Sequence, residues 1–169
     1  MAIGEKDTVF SSNIKYKGIF SFPDFYQFCY DWLKEETGLE IAENKYEEKL
    51  DGEAKEIVVE WFGKKKLTDY FRFDIDVKFR IQRLTNIEIN QGGTKIKTNQ
   101  GTVKMAVKGI LVRDYEGKFE RSAFNKFMRS IYEKWVITTR INEFEDKIAE
   151  DSDEFLSQVK AYLDLEGKK

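Results

Sequence analysis

Between Leu39 and Arg113 the chain alternates apolar and polar residues with a period of two, while on either side the apolar spacing becomes three and four. The clearest segment sets Phe71, Phe73, Ile75, Val77, Phe79 and Ile81 against Arg72, Asp74, Asp76, Lys78, Arg80 and Gln82. Wound as a helix, these residues would scatter six apolar side chains around the whole circumference. The period therefore predicts a strand with one packed face and one wet face. Segments 40–50, 54–63, 67–83, 84–90, 94–98 and 102–113 read as strands, with Asn13–Phe20 as a further one before them. The breaks carry turn chemistry: Asp51-Gly52, Gly63 with Lys64-Lys65-Lys66, Gln91-Gly92-Gly93, and Asn99-Gln100-Gly101. Breaks this short predict hairpins, and hence antiparallel neighbours.

Two stretches have helical spacing. Phe22, Phe25, Phe28, Cys29, Trp32 and Leu33 share one face, with Ser21 placed to cap the start, Pro23 in the first turn and Gly38 ending the helix. Near the C-terminus, Ser122 can cap a helix carrying Phe124, Phe127, Met128, Ile131 and Trp135 on one side. Val136-Ile137-Thr138-Thr139 reads as a joint, after which Ile141, Phe144, Ile148, Phe155, Val159, Tyr162 and Leu163 continue the stripe. Asp151-Ser152-Asp153-Glu154 interrupts it, and Asp151 with Glu154 has the spacing of a second cap, so the segment is one kinked helix or two.

Residues 1–12 show no period and read as a flexible arm, leaving 13–166 as a single domain without repeat or linker. Strands grouped apart from helices predict an α+β fold. It would be a curved antiparallel sheet of about six to seven strands, packed against one N-terminal helix and one or two long C-terminal helices. This order resembles the helix-grip arrangement of the START and Bet v 1-like families, in which the sheet grips a long C-terminal helix. Those families carry two short helices where one is read here. The runs YDWLKEETG, FDIDVKFRI and VKGILVRDYEGKFE resemble an uncharacterised family of small archaeal proteins, which implies no activity.

Composition acts mainly by exclusion. The 169 residues contain no histidine and one cysteine, Cys29, which removes His-dependent catalysis, His-ligated metal sites and any intramolecular disulfide. Cys29 sits on an apolar stripe and reads as a buried structural thiol. No apolar run reaches the roughly 18–20 residues of a membrane span. The start, Met1–Asp7, lacks a basic and apolar leader, so the expectation is a soluble cytoplasmic protein. Asp74 and Asp76 share a strand face with Arg72, Lys78 and Arg80, which reads as a cross-strand ion-pair lattice rather than a cation site. The two glycine-containing turns lack phosphate-loop spacing and precede strands. No catalytic residue, metal or cofactor is assigned.

Charge is unevenly spread. The net value is −2. Residues 1–63 hold 14 acids against 7 lysines, whereas residues 64–113 hold 12 Lys and Arg against 4 acids. Three readings follow. The 25 aromatic residues fit a non-enzymatic module that contacts a protein partner or itself. A carrier of an apolar small molecule would line its cavity with Trp61, Phe71, Phe73, Phe79, Met105 and Trp135. RNA binding would use Lys64, Lys65, Lys66, Lys95, Lys97, Lys104, Lys108 and Arg113.

Overall fold

A computed structural model describes residues 5–116, 123–136 and 138–168. The fold is α+β, with one antiparallel sheet of five strands in the order β1-β5-β4-β3-β2. The strands are β1 (Glu5–Phe20), β2 (Glu40–Asp51), β3 (Ala54–Lys66), β4 (Phe71–Gln91) and β5 (Thr94–Arg113). The helices are α1 (Phe22–Thr37), α2 (Ala123–Ile131) and α3 (Thr138–Glu166), with a π-helical turn at Tyr132–Val136 between the last two. The first strand lies beside the last, a pairing of distant segments, and β1 and β2 form the two edges of the sheet.

Five strands replace the expected six to seven because two breaks are irregularities inside long strands. The β4–β5 register shifts between Gln82 and Thr85, where Arg83 takes a positive φ of 54°. Gly101 sits against this bulge, and a Cβ there would lie 3.1 Å from the Gln82 carbonyl and 3.3 Å from Leu84 Cα. The apparent breaks at 83–84 and 99–101 are thus two sides of one β-bulge, which bends the ribbon without ending it. The true turns are Gly52-Glu53, residues 67–70 (expected as the start of a strand) and Gly92-Gly93, the last with φ of 59° and 84°, as a two-residue hairpin of primed type requires. Gly63 is no turn either. It lies within β3, where a Cβ would come within 2.8 Å of both Ile41 and Ile75.

Residues 5–12, expected as an arm, extend β1 and pair with Thr8↔Ile110 and Lys6↔Val112. The acidic stretch 151–154 does not interrupt α3, which runs unbroken for 29 residues. The joint expected at 136–139 coincides with the end of the π-helical turn, where Thr138 Oγ1 donates to the carbonyls of Glu133 and Lys134. Ser122 lies outside the described residues.

Helices α1 and α3 cover one face of the sheet. Phe25, Cys29 and Leu33 of α1, and Ile148, Phe155, Val159 and Leu163 of α3, join Val59, Ile75, Val77, Phe79, Ile81, Val103, Met105, Val107 and Leu111 in one core. The start of α1 is closed by tertiary means. Ser21 makes no side-chain cap, and Asn99 Oδ1, across the chain, accepts from the Phe22 N–H at 3.0 Å. At the other end Lys65 Nζ donates to the Thr37 carbonyl at 3.0 Å. No described helix is long and apolar enough to cross a membrane.

Candidate functional site

The uncovered face of the sheet differs in character from one side to the other. On the β2–β3–β4 side, acids and bases interleave: Lys45 and Lys49 each lie 3.3 Å from Glu47, Lys78 lies 3.2 Å from Glu60, and Arg80 lies 3.5 Å from Glu56. The lattice expected from the sequence is present there in part: Lys78–Glu60 and Arg80–Glu56 cross between β4 and β3, whereas the two Glu47 pairs run along β2. Its most buried member departs from the expected geometry, because fully buried Asp74 is held by its own strand. Arg72 Nε donates to Asp74 Oδ1 at 2.7 Å and Arg72 Nη2 to Oδ2 at 2.9 Å.

On the β1–β5 side no acid interleaves. The outward positions of these strands carry Lys6, Lys15, Lys17, Lys104 and Lys108, while Glu5 and Asp7 fall on the opposite face. Lys15 pairs directly opposite Lys104, and Lys104 directly opposite Arg80, so three cations stand in one row across three strands. In the adjacent row Asn13, Ala106 and Lys78 are aligned in the same way. The small Ala106 leaves a depression of about 460 Å³ bordered by Lys15, Lys78, Arg80 and Lys104. Like charges directly opposite in a sheet repel, so Lys15 and Lys104 oppose each other across β1 and β5, whereas Arg80 is offset by Glu56.

This shelf collects some of the residues expected for RNA and disperses the rest. Lys104 is central to it, and Lys108 lies further along β5 opposite Asp76. Lys64 faces outward but opposite Asp74, and Lys66 is paired with Asp69 at 2.8 Å. Lys65 serves the end of α1. Lys95 and Lys97 lie near the far tip of the β4–β5 hairpin, opposite Asn90 and Glu88. Arg113 is withdrawn altogether, since its guanidinium is 3.1 Å from Glu5, 2.7 Å from Asp7 and 2.8 Å from Glu133. Lys15, Lys78 and Arg80 were missed. Lys15 belongs to the acidic first third of the chain, and its place beside Lys104 follows only from the β1–β5 pairing.

Of the residues expected around an apolar ligand, Trp61, Phe71, Phe73, Phe79 and Met105 are all buried in the core. Trp61 and Phe79 meet edge to face at 5.1 Å, Phe25 and Phe79 at 5.9 Å, and Phe71 contacts Phe144 at 5.0 Å. The side chain of Trp135 lies outside the described residues. Cys29 is fully buried, and burial pushes its thiol pKa well above the ordinary value, so the reactive thiolate is suppressed.

A separate apolar surface lies on α2. Phe124 is 69% exposed, Phe127 60% and Met128 39%, although helical spacing had read them as a packed stripe. The helix is tied down on its polar side, where Arg129 lies 2.7 Å from Glu5 and 3.8 Å from Asp114. No protein-family model matches the chain, and no curated protein matches it.

Proposed function

We propose that the protein is a non-enzymatic nucleic-acid-binding module whose β1–β5 shelf grips the phosphate backbone of RNA. The observation that carries this reading is the cation row Lys15–Lys104–Arg80, in which Lys15 and Lys104 face each other directly while Arg80 keeps Glu56 at 3.5 Å, so that an anion over the two lysines would relieve their repulsion. Adjacent strands are about 4.8 Å apart and alternate residues along a strand about 6.6 Å apart, a grid on the scale of successive phosphates. Phe62 is a lone aromatic among the outward positions of β3, while the β4 phenylalanines face the core. Binding is therefore by phosphate contact rather than base stacking, and is indifferent to sequence.

The chain as a whole is slightly acidic, so long-range steering contributes little and the local row carries the affinity. Fluorescence anisotropy with a mixed-sequence RNA at several salt concentrations tests the reading. Log affinity should fall linearly with log salt, with a slope reduced by about 0.7 for each lysine contact removed. Salt-insensitive binding, or none at low salt, rejects it.

A second reading has one specific observation behind it. The exposed Phe124, Phe127 and Met128 follow the spacing of a helix-packing seam, which suits contact with a second copy through the same patch. Sedimentation over a concentration series tests this: a dimer lost in Phe127→Ser supports it, and a monomer throughout removes it.

A further inference from the structure

On the covered side of the sheet, the strands outrun their helices. β4 has 21 residues, spanning roughly 70 Å at 3.3 Å per residue, whereas the 16 residues of α1 reach roughly 24 Å. Where α1 begins, the inward side of the β2–β3 hairpin is left open, forming a cleft of about 710 Å³. Its wall is aromatic and its rim acidic. Tyr26 and Tyr46 meet at 83° with ring centroids 6.1 Å apart, making a two-sided corner, and Glu43, Glu48 and Glu53 line the same space with Lys55.

The hydrogen bonding removes donors from this corner. Tyr26 donates its hydroxyl to Glu43 Oε2, which also accepts the Trp61 indole N–H at 2.9 Å, and Tyr46 donates to Glu48 Oε1 at 2.8 Å. Both phenols thus hold their protons against carboxylates, and the Tyr26 pKa is pushed up to about 12 by burial and by Glu43. The positive end of α1 is partly closed. The Phe22 N–H is taken by Asn99, Pro23 has none, and the Phe25 N–H bonds the Ser21 carbonyl. Beside the two rings stand the carboxylates of Glu43, Glu48 and Glu53, with Lys55 Nζ 3.9 Å from Glu48 Oε2.

We propose that this cleft binds an alkylated ammonium group, with the Tyr26–Tyr46 corner against its methyl groups and Glu43 and Glu53 balancing its charge, Glu48 being offset by Lys55 at 3.9 Å. A cation that cannot donate a hydrogen bond suits ring faces, and desolvation strengthens the attraction. The site lies on the opposite face from the cation row, so it stands independently of nucleic-acid binding.

The test is a titration of the whole protein with choline and with its uncharged isostere 3,3-dimethylbutan-1-ol, followed by NMR of the Tyr46 and Trp61 ring signals. Saturable shifts with choline, and binding of the alcohol about tenfold weaker or absent, are expected. Tyr46→Leu, at an exposed position, should weaken choline about tenfold while leaving the core spectrum intact. Equal binding of the two compounds would make the cleft a plain apolar groove and overturn the proposal. So would the absence of saturable shifts, or a Tyr46→Leu protein that binds choline as wild type does.

Discussion

Gly109 of β5 lies directly beneath Ser152 of α3: a Cβ on the glycine would stand 2.4 Å from Ser152 Oγ and 3.0 Å from Ile148 Cγ2. The long helix can approach the sheet at this crossing because one partner has no side chain and the other a small one. Gly109→Ala should therefore destabilise the protein by roughly 1–3 kcal/mol through overpacking. Ser152 Oγ is itself buried with no hydrogen-bond partner among the described residues, so Ser152→Ala should raise the denaturation midpoint. Urea unfolding of both single variants and the double variant checks the pair. The double variant should recover part of the Gly109→Ala loss, since residues in contact are not additive.

The Arg72–Asp74 pair makes the second prediction. Asp74 is fully buried on the face away from the core, as is Val112, and its two oxygens are held by a single guanidinium. Arg72→Met leaves a buried carboxylate without its partner and should cost roughly 3–5 kcal/mol. Asp74→Asn should cost less, because the amide needs no counter-charge. Chemical denaturation of the two variants orders them.

Asp76 supplies a pH-dependent test. Its pKa is raised, first by desolvation and then by the charge of Asp74, which together outweigh the attraction of Lys108 and Lys6. An acid whose folded pKa lies above its unfolded value weakens the fold at higher pH, and the penalty is relieved as pH falls through the folded pKa. Asp76→Asn should therefore unfold at a higher denaturant concentration than wild type at pH 7. The gap should close as the pH is lowered through the Asp76 titration.

How far these features could be read from the sequence depended on the range of the interactions. The period-two runs and the Gly92-Gly93 turn are local, and they placed β2 to β5 near their true positions. The bulge at 83–84 looked like a break because Arg83 and Gly101 carry turn-like local signals, and only their apposition shows a bent ribbon. Asp151-Ser152-Asp153-Glu154 resembled a cap in sequence, yet tertiary packing of Ile148, Phe155 and Val159 carries α3 through it. The cap of α1 was misread for the same reason, since Asn99 lies 77 residues away. Phe124 and Phe127 have the right helical spacing for a core, but spacing alone cannot say whether anything lies opposite.

The candidate shelf was legible only by halves. Lys78 and Arg80 could be placed on one wet face from period two, and Lys104 on another. Their union with Lys15 required knowing that the first strand pairs with the last, a contact between segments about 90 residues apart. Counting charge along the chain instead of across the sheet placed Arg113 in the basic region, although three carboxylates neutralise it.

Lys104→Thr separates binding from folding at the Lys15–Lys104 pair, which the proposed function holds to be kept for RNA at the expense of the fold. In one preparation, thermal unfolding and RNA affinity at fixed salt would be measured for this variant against wild type. Relief of the Lys15–Lys104 repulsion should stabilise the variant by about 0.2–1 kcal/mol, while its affinity for RNA drops and its salt slope falls by about 0.7. A Lys104→Thr protein that binds RNA as tightly as wild type, with an unchanged slope, would contradict the account.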